Sequence, residues 1–318
     1  MKYSGVGGQA VMEGIMMRNQ DKYAVAVRKS DKKIDVQVFD YKGPGKNKSI
    51  KNLPIVRGVI SFVDSLYLGM KTLMHSASFF EDEEGLTKKK EKREGLSEAE
   101  IKELDEKEKK EEDMAMVGTV ILSIVLTIGM FFVLPYFISM FFQKFIQSQF
   151  LITLLEGVVR LTIFITYIGL ISFMPEIKRT FMYHGAEHKC INCIEQGLEL
   201  NVENVRKSSK QHKRCGTSFL LIVMIVSVVF FMFIRVNSPI LRLLVRLLLI
   251  PIIAGVSYEF IRLAGRYDNA FVNLISVPGL LMQRLTTKEP NDEMIEVGIA
   301  SVEAVFDWKK WQEKELNL

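Results

Sequence analysis

Gly216-Thr-Ser-Phe-Leu-Leu-Ile-Val-Met-Ile-Val-Ser-Val-Val-Phe-Phe-Met-Phe-Ile234 contains no charged residue and no period-two alternation. A half-buried strand alternates, so this stretch reads as an apolar helix. At 1.5 Å of rise per residue its length matches a hydrocarbon core of about 30 Å. Three further stretches have the same character: 114–142, 149–174 and 239–258. Composition alone, at 318 residues and 48% hydrophobic, does not separate a soluble chain from a membrane chain; the clustering does. Two stretches carry charge at i, i+4 spacing, Glu156 with Arg160 and Arg242 with Arg246. A charge inside a span faces the bundle interior or the interface. Glu156 and Arg160 are therefore expected to pair internally, and Arg242 and Arg246 to snorkel or to meet Glu156 or Glu259.

Between the second and third stretches, residues 175–215 hold eight Lys or Arg, while the connectors at 143–148 and 235–238 hold Lys144 and Arg235 alone. The side of a membrane richer in Lys and Arg is the cytoplasm. The central segment and both termini are thus expected to be cytoplasmic, and the opening M-K-Y-S-G-V-G-G-Q has no apolar run of the kind a cleavable signal requires. A reducing compartment makes Cys190, Cys193 and Cys215 thiols or metal ligands rather than disulfides.

Outside the spans, Tyr23–Arg28 and Lys33–Val38 predict a β-hairpin turning at Ser30–Lys33. In residues 53–80, Arg57, Asp64 and Lys71 recur every seven, a narrow charged stripe on an otherwise apolar helix that suits the membrane interface or a groove against the spans. Residues 81–113 carry 15 acidic and 9 basic side chains, a net of −6, which leaves +11 on the rest of a chain whose total is +5. That excess suits anionic headgroups; no motif for specific nucleic-acid binding accompanies it. Near the end, Ile295, Ile299, Val302 and Phe306 lie on one face of a helix over about 291–310.

Six of the chain's seven His and Cys residues fall between 184 and 215 if His75 is set aside: His184, His188, Cys190, Cys193, His212 and Cys215. Core packing would scatter them. Tyr183-His-Gly-Ala-Glu-His188 contains H-x-x-E-H, which on a helix puts His184 and His188 one turn apart, able to share one zinc ion, with Glu187 placed to take a proton. Three readings follow. In a catalytic site, His184, His188 and either His212 or Cys215 hold zinc, water takes the fourth position and Glu187 is the general base. In a structural site, four protein donors close the shell, either His184, His188, His212 and Cys215, or a knuckle of Cys190, Cys193, His212 and Cys215. In the third, the segment binds no metal. Glu195, Glu199 and Glu203 are further candidate carboxylates, with Glu195 and Glu203 the alternative ligands. The glycine-rich opening lacks the G-K-[ST] of a phosphate loop. It is expected to turn tightly near the central segment, with Gln9, Glu13 and Arg18 as supporting polar groups.

These blocks resemble the YqhQ-like family, bacterial multi-pass membrane proteins described as predicted metal-dependent enzymes. The likeness runs through G-G-Q-A-V-M-E-G-I-M-M-R from Gly7 to Arg18, P-I-V-R-G from Pro54 to Gly58 and Y-H-G-A-E-H-K from Tyr183 to Lys189. It continues through V-E-N-V-R-K-S from Val202, R-C-G-T-S-F from Arg214, S-Y-E-F-I-R-L-A-G-R from Ser257 and P-G-L-L-M-Q-R-L-T-T-K-E-P from Pro278. Where the family has Pro this chain has Lys213, and where Thr is common it has Cys190. The resemblance therefore favours His184, Glu187, His188, His212 and Cys215 over the Cys190–Cys193 knuckle.

The expected fold is mainly α: a polytopic helical membrane protein with about four transmembrane helices, a small N-terminal cytoplasmic β-hairpin module and amphipathic interfacial helices. Its expected divisions are 1–80, the N-terminal module and interfacial helix; 81–113, a charged linker; 114–174, two spans; 175–215, the metal segment; 216–266, two more spans; and 267–318, a C-terminal amphipathic segment. The expected function is zinc-assisted hydrolysis at the cytoplasmic face, with membrane lipids and an unidentified cytoplasmic partner or substrate. Its alternatives are a zinc-stapled membrane scaffold and a transporter.

Overall fold

The glycine-rich opening is not a turn but a strand. In the computed structural model, which describes residues 2–41, 43, 53–80, 97–234, 236, 238–267 and 269–316, the expected hairpin is the second half of a four-stranded sheet. Strands β1 (Gly7–Val11), β2 (Gly14–Asn19), β3 (Lys22–Arg28) and β4 (Ile34–Asp40) run in sequential antiparallel order. Glycine signals a turn when read alone. Here Gly8, opposite Met17, permits close approach: a Cβ on it would lie 2.5 Å from the Met16 carbonyl oxygen. Two-residue links at Met12-Glu13 and Gln20-Asp21 use positive φ at Glu13 (48°) and Gln20 (50°).

Contacts divide the chain into two units, Met1–Phe79 with Ile165–Leu318, and Phe80–Phe164. The second unit holds α2 (Glu98–Ile128), a π-helical turn at Gly129–Val133, α3 (Leu134–Phe142) and the first part of α4 (Gln149–Ile171). Helix α2 begins in a capping box, the Ser97 N–H donating to the Glu100 carboxylate at 2.9 Å. Residues 81–96 of the charged linker lie outside the described residues, as does Arg235. The buried Arg160 guanidinium donates to Glu156 at 2.9 Å and to the Phe131 carbonyl, in the π-helical turn, at 2.8 Å. Glu156 and Arg160 thus form an internal pair, and a π-turn, which shifts the backbone ladder, supplies the carbonyl.

The first unit contains α1 (Val56–Ala77), α5 (Pro175–Glu195), α6 (Val202–Lys207), α7 (Gly216–Met232), α8 (Pro239–Arg266), α9 (Ala270–Thr286), α10 (Asp292–Glu303) and α11 (Trp308–Leu316). Helix α10 lays Met294, Ile295, Val297 and Val302 against α5 and the sheet, where Ile15, Met17, Tyr183, Ala186 and Ile191 complete a core. Helices α7, α8 and α9 pack together, and α1 runs along α8.

Among the described residues, three helical runs are long and apolar enough to cross a membrane: Glu100–Phe142, Gln149–Ile171 and Ile240–Gly265. The fourth expected span, α7, is apolar throughout but shorter, at 17 residues. Cys215 caps it at the expected start, Gly216, and the helix stops at Met232, two residues short of the expected end at Ile234. Arg242, in α8, donates to the Val236 carbonyl at 3.0 Å, while Glu259 accepts from Arg57 of α1.

Helix α1 has an inverted distribution. Gly58, Leu68, Gly69, Thr72 and Ser76 face inward, whereas Val63, Leu66, Tyr67, Met70, Leu73 and Met74 are exposed. Two of its three charges are paired within the fold, Arg57 Nε to Glu259 of α8 at 2.6 Å and Asp64 to Arg18 at 3.1 Å. Gly58 lets α1 meet α8 closely: a Cβ there would lie 2.8 Å from the Gly255 carbonyl oxygen. Gly58→Ala is expected to cost about 1–3 kcal/mol through overpacking of backbone on backbone. Thermal unfolding in detergent measures it.

Candidate metal centre

Helix α5 starts at Pro175, whose missing N–H is no loss in a first turn, with Glu176 favourable at its positive end. From Tyr183 onward nearly every residue is buried, between β1 on one side and α10 on the other. Its i, i+4 spacing stacks His184 and His188, ring centroids 4.4 Å apart. Their outer nitrogens are anchored by backbone carbonyls from separate segments. His184 Nδ1 donates to the Thr286 carbonyl at 2.9 Å and His188 Nδ1 to the Lys210 carbonyl at 2.7 Å. A carbonyl only accepts, so each Nδ1 carries a proton, and each Nε2 is the ring nitrogen left facing the centre, the atom a metal would take in exchange for any proton on it.

Cys215, the N-cap residue of α7, brings its sulfur to the same point, 3.3 Å from His184 Nε2. One donor atom from each of His184, His188 and Cys215 lies within 4.8 Å of the others, the one such group among the described residues. Donors around tetrahedral zinc sit roughly 3.3–3.6 Å from one another, given bonds of about 2.0–2.3 Å. The set fits such an ion after a small contraction. Burial opposes charge on both partners, yet their mutual attraction prevails. Although burial pushes it down, the Cys215 thiolate beside it, with Glu187, raises His184 to about 9. Burial likewise opposes the Cys215 thiolate, but His184 and then His188 hold it well below the usual thiol range. The thiolate is the form that binds metal.

Glu187 is buried beside the group, one oxygen 3.9 Å from His184 Nε2 and the other accepting the Gly8 N–H at 3.1 Å. The edge strand β1 thus positions this carboxylate, and a Cβ on Gly8 would press to 3.0 Å from Glu187 Cγ. Gly185 admits the other support. A Cβ there would lie 2.0 Å from the Lys288 carbonyl oxygen, where the chain leaving α9 crosses α5 and the Lys288 N–H donates to Phe181 at 2.9 Å. Gly185→Ala is expected to destabilise by about 1–3 kcal/mol and to loosen the His184–Thr286 bond, visible as a lower unfolding midpoint with weaker metal retention.

The remaining candidates are engaged in other contacts. His212 stands next to the group, its ring 5.7 Å from that of His188, but its Nε2 faces Glu195 at 3.6 Å and Arg214 at 3.2 Å. Its backbone is held by the fully buried Gln283, which accepts its N–H at 2.8 Å and donates to its carbonyl at 2.7 Å. Cys190 and Cys193 belong to the core; Cys190 packs where a Cβ on Gly298 would lie 2.8 Å from its sulfur. Burial raises both thiols, Cys193 to about 11. Glu203 pairs with Lys207 at the surface, 2.6 Å away. Glu13 ties α5 to the sheet, accepting from Arg179 at 2.5 Å and Tyr183 at 3.2 Å. Gln9 donates to the Gly69 carbonyl at 3.2 Å.

Glu195 anchors the N-terminus. Burial would raise its carboxyl, but His212, Arg214 at 2.6 Å and the Ser4 N–H at 3.0 Å depress it to about 2. A depressed carboxyl stabilises above its unfolded value of 4.5 and loses that contribution as pH falls toward about 2. Glu195→Gln is expected to cost about 1.5–3 kcal/mol at neutral pH, the value of hydrogen bonds to a charged group. Denaturant unfolding should show the gap between wild type and variant closing on acidification.

The group opens into a cleft of about 800 Å³, lined by His184, Glu187, His188 and Cys215 together with Arg18, Arg214, Leu68 of α1 and the Gly5–Ala10 segment.

A family model described as "Protein of unknown function (DUF1385)" matches residues 53–308. The chain belongs to this family. It is 34% identical over 300 residues to a Bacillus subtilis (strain 168) protein described as "Uncharacterized protein YqhQ", over 93% of this chain and 90% of the relative. No solved structure matches. The family match takes in α1 and every donor of the centre, but begins after the sheet that supplies Gly8.

Proposed function

We propose that this chain is a membrane-embedded, zinc-dependent hydrolase whose centre opens at the cytoplasmic face. The observation that carries this reading is the anchoring of both imidazoles through Nδ1, which turns two Nε2 atoms toward the Cys215 sulfur beside a buried carboxylate. Three protein donors on the wall of an open cleft leave a coordination position unfilled, the pattern of catalytic rather than structural zinc. Nitrogen and sulfur donors in this number suit zinc above magnesium or calcium. Such an ion supplies Lewis acidity, polarising water and the bond to be cleaved. In this scheme His184, His188 and Cys215 hold the ion, Glu187 accepts a proton and returns it to the leaving group, and Gly8 keeps the Glu187 carboxylate oriented.

In the membrane arrangement that goes with this reading, α2–α3, α4, α7 and α8 are four spans, and 175–215 lies in the cytoplasm with both termini. The basic residues of that segment support it. Helix α1 then dips into the bilayer. Gly265 of α8 meets Arg214 at the start of α7, and Gly255 meets Ile55 and Gly58. Ten residues of helix are about 15 Å, so α1 begins near mid-bilayer, its apolar face toward acyl chains and its Arg57 and Asp64 charges paired inward.

Metal analysis of detergent-purified protein tests the centre. One equivalent of zinc in the wild type, absent from His184→Ala and kept in Cys193→Ala, is expected. Wild-type protein that binds no divalent metal when supplied with it would end the proposal.

A further inference from the structure

Two arginines line the cleft of about 800 Å³, and each is held in the same way. Arg18 donates to Asp64 at 3.1 Å and its guanidinium carbon sits 3.6 Å from the centre of the Tyr41 ring. Arg214 donates to Glu195 at 2.6 Å and sits 3.7 Å over Tyr3. In each case a carboxylate fixes one part of the guanidinium and an aromatic ring supports a face, which preorganises a group otherwise costly to order. Asp64 and Glu195 do not line the cleft, whereas both arginines do, and among the described residues Glu187 is the single carboxylate in the lining. Guanidinium carries five N–H donors, so the anchoring carboxylates leave donors over. The cleft wall is therefore more cationic than its immediate surroundings, before any metal adds to it.

We propose that this cleft binds a phosphate group, held by Arg18 and Arg214 beside the metal centre; only the placing of the scissile bond near His184, His188 and Cys215 rests on the hydrolase reading. A dianion with three exposed oxygens can engage two guanidiniums and an ion together, whereas a carboxylate is satisfied by one fork. The N-terminus of α7 at Gly216, whose dipole favours an anion, lies in the same lining. The volume exceeds what phosphate alone fills, and Val6, Met16, Leu68 and Phe181 offer an apolar wall for the remainder of an ester.

Calorimetric titration of zinc-loaded, detergent-purified protein separates the sources. Inorganic phosphate is one probe; monomeric dihexanoyl phosphatidic acid is the other. Saturable binding of either is expected, weakened at least about tenfold in Arg214→Lys and Arg18→Lys, which keep the charge opposite Glu195 and Asp64 while losing the fork. Both variants should retain one equivalent of zinc and near wild-type melting. Tighter binding of the phosphatidic acid, with the surplus lost in Leu68→Ser, identifies a lipid headgroup; equal binding identifies free phosphate. Binding that is unchanged in both arginine variants, or no binding of either probe to zinc-loaded protein, overturns the inference and leaves the metal centre standing. Arginine-dependent phosphate binding by a protein that takes up no zinc would instead sink the hydrolase reading and preserve this one.

Discussion

Glu187→Gln is expected to keep one equivalent of zinc and to lower turnover by about 10²–10⁴-fold, the range a positioned proton acceptor contributes. The substitution is nearly isosteric. The Gly8 N–H, which donates to this carboxylate at 3.1 Å, still finds an amide oxygen, so β1 keeps its place against α5. The three donors are on other side chains and their Nδ1 anchors are backbone carbonyls, so metal uptake has no reason to change. What disappears is the ability to take a proton beside the centre. The measurement is hydrolysis of chromogenic carboxylic and phosphoric esters by zinc-loaded wild type and variant, with complementation of a strain lacking the gene. Wild-type rates in the variant would remove Glu187 from the chemistry and leave His184, His188 and Cys215 as a structural clasp.

How much of this was legible beforehand depended on whether the information was local. Helical length and lack of charge belong to a segment, so the apolar runs were readable without contacts, and the structure differs mainly in the shorter reach of α7. H-x-x-E-H is likewise local: its spacing places both imidazoles on one face of α5 whatever surrounds them. The strands β1 and β2 were hidden, because Gly7-Gly8 signals a turn unless a partner strand requires close approach, as Met16 does here. Carbonyl anchors were out of reach altogether. Thr286 and Lys210 act through backbone oxygens that every residue has, and nothing in their identity marks them. Gly185 carried a partial signal, as a glycine inside a helix between two candidate ligands often marks a close crossing. His212 shows the limit of sequence proximity: three residues before Cys215, its ring faces Glu195 while Gln283 holds its backbone.

Cys215→Ala is expected to weaken zinc binding by roughly 10²–10³-fold, since a total of about 10–16 kcal/mol shared over four ligands gives each about 2.5–4 kcal/mol. The size of this effect depends on which sulfur belongs to the centre. Cys190, Cys193 and Cys215 are all buried free thiols, so exposure does not distinguish them. Their surroundings do. Cys190 and Cys193 sit among core side chains where burial raises the thiol, disfavouring the ligating form. Cys215 meets His184 Nε2 at 3.3 Å and the Thr217 hydroxyl at 3.0 Å, at the start of a helix, all of which favour a thiolate. Cobalt substitution reports this directly, because a bound thiolate gives a sulfur-to-metal charge-transfer band. That band should be present in wild type and in Cys190→Ala and Cys193→Ala, and absent in Cys215→Ala. Its survival in Cys215→Ala would mean that a core thiol reaches the ion, and the position of α7 relative to α5 would then have to be different.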